Sequence, residues 1–410
     1  MLMEECILDK TLLVIGAGVE SVPGILIAKN MGLRVVSLDA NPNAPGFKFS
    51  DDKIECSTYD IKSAIQTSIE YNKKNRINGV ISIATDVPLT VANIARELNL
   101  PSISIETATL ASDKILMKKR LQEKNIKVPW FSEIKSLEHL KQIAIEKQYN
   151  LVLKPADSRG ARGVIRITKD VDIEWAYNYS LSYSSSRRIL VEEFLSGPQI
   201  STEGVIIKGR GINIGFSERN YEFLDKYFPF IIENGGQQPS SLPENVKSEI
   251  SDITIKAGIA LGIFNGTVKG DIVYTNDGAK VIEVAPRLSG GFFSTDQIPL
   301  ATGVNLVEIA IKIALGEEIS LDFIKPNNKK AVAIRYFFPS PGIVREIKNI
   351  DKFINLPWVY KLQFFVKPGD LISNVTDHTK RAGCVIATGE TKDEAVNRAL
   401  LVINGIEIVT

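Results

Sequence analysis

The sequence has no excess of charge, little cysteine and little histidine, and each scarcity closes off a class of function. Lys plus Arg number 49 against 48 Asp plus Glu. No whole-chain field therefore draws the protein to nucleic acid or an anionic membrane, and any anion site must be local. The three cysteines, Cys6, Cys56 and Cys384, are odd in number and widely spaced. That fits neither a disulfide framework nor a CxxC metal site and points to a reduced chain. No stretch reaches the roughly 20 apolar residues of a membrane span, and MLMEECILDK carries acids where a signal peptide has a basic flank. A cytoplasmic protein is expected, with no membrane and no nucleic acid among its partners. Internal repeats and low-complexity tracts are also missing.

What is present is an ordinary globular composition, 44% hydrophobic and 24% charged over 410 residues, enough for two or three domains. Residues 11 to 105 alternate short apolar runs (TLLVIG, RVVSLD, GVISIA) with helical patterns over Pro23–Met31, Ile61–Lys74 and Pro88–Asn99. That order predicts α/β structure with a parallel sheet, to which LPSIS adds a fourth strand. SDKILMKKRLQEKN, from Ser112, opens on a Ser or Asp cap, so a boundary falls near Glu106. Strand candidates then crowd together in an α+β texture, with helices at Ile173–Tyr183, Pro243–Ile263 and Asn305–Gly316. A last unit runs to Thr410 and ends in a helix from Lys392 to Ile403.

TLLVIGAGVES places a Gly-rich turn after a strand, with Asp39 about twenty residues on, as a nicotinamide dinucleotide site begins. Ser21 stands where that fingerprint needs Gly or Ala, and Pro23 and Gly24 follow at once. The stretch reads as a turn, and Asp39 as a strand-end acid of a domain whose top edge helps line a cleft.

The most informative stretch is GTVKGDIVYTNDGAKVIEVAPRLSGG, from Gly266 to Gly291. A three-residue loop, Asn276 to Gly278, joins two alternating runs. Pairing Thr275 with Ala279 sets Asp271 opposite Glu283 and Lys269 opposite Ala285. Lys269, Asp271, Glu283 and Arg287 then share one face, and Val268, Ile272, Tyr274, Ile282 and Val284 the other. Facing carboxylates repel unless a cation lies between them, and magnesium commonly uses one or two protein carboxylates. The plainer alternative is a solvated hairpin face neutralised by Lys269 and Arg287. In LVLKPADSRGARGVIRI, Lys154 ends a strand before a flexible loop with Arg159, Gly160, Arg162 and Gly163, suited to phosphates, or else a surface turn. ILVEEFLSGP sets acceptors beside apolar groups, the mixture an adenine edge needs.

These segments, in this order, resemble the ATP-grasp superfamily, and within it the carboxylate-amine ligase branch of L-amino acid ligases and of biotin-carboxylase-like and carbamoyl-phosphate-synthetase-like enzymes. The resemblance implies a Rossmann-like preliminary domain over 1–105, an ATP-grasp domain of two α+β subdomains over 106–325 with its lid subdomain at about 126–195, and a small C-terminal α+β unit over 326–410. It implies ATP and one or two magnesium ions, with manganese able to substitute. Lys114 and Lys154 match the lysines that hold ATP phosphates, and Ser158 to Gly163, with Arg159 and Gly160, the phosphate lid. Glu192 matches the acceptor for the adenine amino group, with backbone contacts from Glu193 and Leu195. Gln199 occupies a ribose position that is Glu in many members, and Glu203 shares that work. Asp271 and Glu283 match the metal ligands, and Arg287 the arginine that steadies a phosphate or acyl-phosphate. Where many members carry Asn beside the second metal acid, this chain has Ala285.

The implied reaction is phosphorylation of a carboxylate by ATP and capture of the acyl-phosphate by an amine, releasing ADP and phosphate. Phosphoryl transfer needs positioning and charge neutralisation more than a protein nucleophile, which suits a chain with two histidines. His139 is expected at the surface; His378, beside Arg381, is the one expected near substrate. For the substrates, Glu233 is a candidate for an ammonium group and Arg335 for a carboxylate, with Arg219 beside them. Phosphoribosylglycinamide-type and carboxyphosphate-forming ligases remain alternatives, as do an NAD-dependent oxidoreductase and a non-catalytic nucleotide-binding protein. Similar enzymes are commonly homodimers.

Overall fold

The computed structural model describes residues 10–327 and 329–410; Cys6 and most of the acidic N-terminal segment lie outside the described residues. The first sheet is parallel, with strands β1 (Thr11–Ile15), β2 (Arg34–Asp39), β3 (Asp52–Glu55) and β4 (Gly79–Ile81) in the order β3-β2-β1-β4. Its helices, Val22–Asn30, Ile61–Asn72 and Pro88–Glu97, begin within a residue of the expected positions. Asp60 caps the second by accepting from Ser63 N at 3.1 Å. Both faces of the sheet are buried, Leu12 and Val14 in one cluster and Leu13 and Ile15 in another. The expected fourth strand at 100–104 is corrected to Asp52–Glu55, which pairs with β2. Pro101 has no amide to donate, and Ser104 is occupied as the N-cap of the helix Ile105–Ser112, accepting from Thr107 N at 3.0 Å.

The helix Lys114–Glu123 starts on Asp113, whose carboxylate accepts from Ile115 N at 2.8 Å and Leu116 N at 3.0 Å. Next comes an antiparallel sheet of β5 (Phe131–Ile134), β6 (Leu151–Pro155), β7 (Ile165–Ile167) and β8 (Ile189–Glu193), ordered β5-β8-β6-β7. Helices Leu137–Glu146 and Ile173–Ser182 pack on it through Leu140, Ile143 and Ala176.

The largest sheet has eight antiparallel strands. It contains β9 (Gln199–Ile207), β10 (Arg210–Arg219), β11 (Gly236–Gln238), β12 (Gly266–Thr275), β13 (Gly278–Ala285) and β14 (Ala331–Phe337). Two short pairs follow from β15 (Gly342–Ile343) with β18 (Leu371–Ile372), and β16 (Glu346–Lys348) with β20 (Glu407–Val409). With β17 (Val359–Phe364) and β19 (Gly383–Gly389), the large sheet runs β13-β12-β9-β10-β11-β14-β19-β17. The C-terminal strands therefore continue the same sheet through the β11–β14 pairing, in which Gly236 lies opposite Ile334. The helix Glu244–Ala260 covers the β12–β13 hairpin, and Lys392–Gly405 covers β14 and β19. The sheets and the loops at the ends of the first sheet's strands surround one cleft of about 640 Å³. Cys56 and Cys384 are free thiols. No helix among the described residues is long and apolar enough to cross a membrane.

Candidate active site

Asp271 pairs with Glu283 and Lys269 with Ala285, as expected, but the rest of the hairpin differs. Thr275 pairs with Gly278 and Tyr274 with Ala279, one position off the expected register, and the shift is absorbed between Asp271 and Ile272. The turn is thus two residues, Asn276 and Asp277, with Gly278 at φ +93°. The extra residue opposite that step is Ile282, and a bulge of this kind re-aims side chains. Ile282 accordingly lines the cleft instead of joining the core face, where Val268, Ile272, Val281 and Val284 pack together.

The two carboxylates sit differently. Asp271 is ion-paired with Lys269, and Arg219 Nη2 reaches its Oδ1 at 3.0 Å. Burial pushes the Asp271 carboxyl up, but the charges of Arg219 and Lys269 outweigh it and hold it below the usual carboxylate range. Glu283 has one cation within 4.0 Å among the described residues, Lys114 at 3.7 Å. Among the described residues no third His, Cys, Asp or Glu completes a metal-binding group. Two facing carboxylates fit a magnesium ion that fills its shell with water and phosphate oxygens, and do not suit a metal needing an all-protein cage.

Around this pair the cleft wall is cationic. Lys114 Nζ donates to the Ser158 carbonyl at 2.6 Å, which ties the helix start to the glycine loop. Lys154 bonds to Glu192, and Lys118 reaches the other Glu192 oxygen at 2.8 Å. That places a carboxylate with 3% side-chain exposure between two ammonium groups. Burial raises its pKa, but the two lysines outweigh burial and keep Glu192 ionised, while burial lowers the Lys118 ammonium. Glu193 bonds to Lys280 at 2.9 Å, and its amide is used by the Trp130 carbonyl. Leu195 and Gln199 line the cleft beyond them.

In the loop, Ser158, Arg159, Gly160 and Arg162 reach the cleft. Gly160 has φ +63° and no neighbour where a Cβ would stand. Gly163 does not reach the wall. A Cβ there would lie 2.7 Å from Pro155 Cγ, so this glycine serves loop packing. His378 N donates to the Gly160 carbonyl at 3.1 Å, joining the loop to the C-terminal unit.

Asp86, in the loop after β4, gave no sequence signal beyond its place past a strand end. Its carboxylate takes Arg287 Nε at 3.0 Å and Arg159 Nε at 3.3 Å. Burial opposes ionisation there, but Arg287 and Arg159 hold the Asp86 pKa well below the carboxylate range. Glu20, in the turn after β1, accepts from Gly291 N at 2.8 Å. The first domain thus reaches the cleft through Glu20, Tyr59, Thr85 and Asp86, whereas Asp39 caps its own loop by accepting from Ala17 N and Asn41 N.

At the other end Arg219 Nη1 pairs with Glu233 at 2.5 Å, and Arg381 Nη2 reaches the same carboxylate at 3.3 Å. The Arg381 guanidinium stacks 3.7 Å from the Tyr336 ring centroid. His378 lines this end, its pKa pushed down to about 3 by burial and by Arg381. Two expected cleft residues are elsewhere. Glu203 is on the cleft face of the sheet, opposite Lys269, but is fully buried under the glycine turn, accepting from Ser289 N at 2.9 Å and Ser294 Oγ at 2.6 Å; burial pushes its carboxyl up. Arg335 donates to the Ile334 and Gly236 carbonyls and to Gln237, because alternation along β14 gives the cleft to Ile334 and Tyr336. His139 is half-buried at a helix start, its Nδ1 accepting from Lys135 N at 3.2 Å.

Residues 111–291 match the family model of the ATP-grasp domain, and residues 335–410 that of L-amino acid ligase C-terminal domain 2. "Uncharacterized protein y4rH" of Sinorhizobium fredii is 27% identical over 377 residues, covering 90% of this chain and 76% of that one. The formate-dependent phosphoribosylglycinamide formyltransferase of Saccharolobus solfataricus is 25% identical over 95% of each chain. In fold, the chain is similar to the crystal structure of an L-amino acid ligase from Bacillus licheniformis, with TM-score 0.84, 20% identity and 98% of each chain covered. Residues 111–291 are thus an ATP-grasp domain, followed by a C-terminal unit of the L-amino acid ligase kind over residues 335–410.

Proposed function

We propose that this ATP-grasp ligase joins the carboxylate of an amino acid or small acid to an amine through an acyl-phosphate, with release of ADP and phosphate. The observation that carries the reading is the convergence on one cleft of the facing Asp271 and Glu283, the lysines Lys114 and Lys154, and Arg159 and Arg287. In this reading the adenine end lies against Glu193, Leu195 and Val152, and Gln199 serves the ribose. Lys118 and Lys154 fix Glu192, which faces the adenine amino group. Lys114 and Lys154 place positive charge along the phosphates, and the Ser158–Gly163 loop closes over them.

Asp271 and Glu283 would hold magnesium, which supplies neutralisation of the phosphate charge when bound. Arg287 and Arg159 share Asp86, so an arriving phosphate competes with that carboxylate for both guanidinium groups. Arg287 then steadies the transferred phosphoryl group from a buried position where its charge is weakly screened. The match of residues 335–410 to a ligase C-terminal model supports an amino acid as the carboxylate donor. So do Arg219 and Arg381, whose Nε groups are buried without a partner beside the cleft. The test is a phosphate-release screen over amino acids and small acids with added amines. ATP turnover should require both substrates and magnesium; turnover indifferent to every added acid and amine overturns the reading.

A further inference from the structure

The cleft is crowded with carboxylates, and their partners sort them. Asp86, Glu192, Glu193, Glu233, Asp271 and Glu283 each have a lysine or arginine within 4.0 Å. Glu20 lines the same cleft and, among the described residues, has no such cation. One of its oxygens accepts from Gly291 N at 2.8 Å; the other has no donor among the described residues. Glu20 is half-buried at the cleft wall, so its free oxygen is open to a cation from outside the chain.

Glu20 also stands at a junction. A second cavity of about 350 Å³ adjoins the cleft and shares Glu20, Thr85, His378 and Arg381 with it, while Ser21 and Phe365 belong to the second cavity alone. That volume is at the small end of the range for small-molecule sites, about 300–1,000 Å³. Its charged groups are Glu20 and Arg381. Arg381 also lines this cavity, so an anionic substituent of its occupant has a cation at hand. On the cleft side Gly290 brings the backbone against Glu20: a Cβ at Gly290 would lie 2.7 Å from Glu20 Oε2. Gly290 follows Arg287 by three residues. The free carboxylate of the first domain is thus held against the turn that follows the proposed phosphate-steadying arginine.

Resting on the ligase reading above, we propose that this second cavity is the entry site of the amine, a small amino acid, and that Glu20 binds its ammonium group and takes its proton. The nitrogen lone pair so released forms the C–N bond to the acyl carbon. The C–O bond to phosphate breaks, its electron pair leaves with phosphate, and the second nitrogen proton goes to the departing phosphate. Glu233, whose carboxylate is already matched by Arg219 and Arg381, is left to orient those two arginines. The ionisable groups facing Glu20 are Arg381, Tyr336 and Cys384 on the C-terminal strands and their flanks, with His378 between them and Asp86 and Arg287 along the cleft.

The test compares two nucleophiles in one reaction. Hydroxylamine is uncharged at neutral pH and captures an acyl-phosphate without giving up a proton first, whereas an amino acid arrives as an ammonium ion. With the twenty protein amino acids as acids and amines, dipeptides and hydroxamates are counted by mass spectrometry. Glu20→Gln keeps an acceptor for Gly291 N. It should lower the dipeptide-to-hydroxamate ratio about 100-fold at neutral pH, and the ratio should recover tenfold per pH unit as free amine accumulates. Glu20→Asp, which keeps the charge, should lower the ratio less and retain the wild-type pH dependence. Equal loss of both products in Glu20→Gln, or an unchanged ratio, overturns the assignment of Glu20. A wild-type protein that makes neither product overturns the amino acid ligase reading itself.

Discussion

Replacing Glu192 with Gln should destabilise the chain far more than replacing the lysine that faces it. Lys118 has a side-chain exposure of 1%, and its ammonium lies 2.8 Å from Glu192 Oε2; its other acceptor is the Ile282 carbonyl at 3.0 Å. With Gln at 192 both Lys118 and Lys154 lose their counter-charge, and Lys118 cannot reach water. Leaving a buried charge uncompensated costs about 3–5 kcal/mol, or roughly 6–20 °C in midpoint for a cooperative unit of 150–250 residues. Lys118→Met is milder, because Glu192 keeps Lys154 and the methionine stem fills the same volume; about 1 kcal/mol is expected. The double variant removes the buried ammonium along with its partner and should recover at least about 2 kcal/mol relative to Glu192→Gln. The sign with pH is fixed by Lys118, whose folded pKa lies below its ordinary 10.5 because burial outweighs Glu192. The unfolded chain binds more protons between those values, so stability rises as pH climbs toward 10.5, more steeply in Glu192→Gln. Urea denaturation followed by circular dichroism, without nucleotide, reads the differences. Lys118→Met falling below Glu192→Gln, or a loss under about 1 kcal/mol in the latter, would refute the reasoning.

Other expectations concern single positions. His378 titrates near 3 in the folded chain against 6.5 when free, so the stability it contributes is complete above pH 6.5 and is lost as pH falls toward 3. Imidazole NMR should show no His378 titration between about pH 5 and 8; a midpoint near the free value contradicts its burial. Gly197→Ala should cost about 2–3 kcal/mol, since its φ is +135° and the new Cβ would meet the Tyr274 carbonyl at 2.1 Å. Gly160→Ala, strained in φ but with open space, should cost about 1 kcal/mol. Equal costs in the two variants would mean that the Gly197 contact does not matter.

Much of this arrangement was legible in the sequence because it depends on local rules. Alternation along GTVKGDIV and VIEVAP placed Asp271 opposite Glu283, and the strand ends placed Lys154 and Glu192. The register at the carboxylates came out right although the loop length did not: a two-residue turn and one bulged residue give the same pairing there as a three-residue loop without a bulge. Local rules also misplace residues. Counting past the hinge puts Glu203 near the ribose, but its position along β9 carries it out of the cleft and under Ser289 and Ser294. Arg335 looks available in KKAVAIRYFF, yet β14 turns it away from the cleft and offers Tyr336 instead. Asp86 and Glu20 were not legible because their partners lie far along the chain, Arg287 and Gly291 respectively. A lone acid after a strand has no spacing to mark it, and only the docking of the first sheet against the glycine turn gives either residue a role.

The central claim is that Asp271 and Glu283 hold the metal of an ATP-dependent ligase, and the most direct measurement is phosphate release by Asp271→Asn and Glu283→Gln beside the unaltered chain. Each variant should be assayed with magnesium, ATP and a productive acid and amine, after its fold is confirmed by circular dichroism. Losing one carboxylate at a phosphoryl-transfer centre should lower turnover by about 100-fold or more, with excess magnesium restoring part of it. Turnover equal to that of the unaltered chain in both variants would contradict the account.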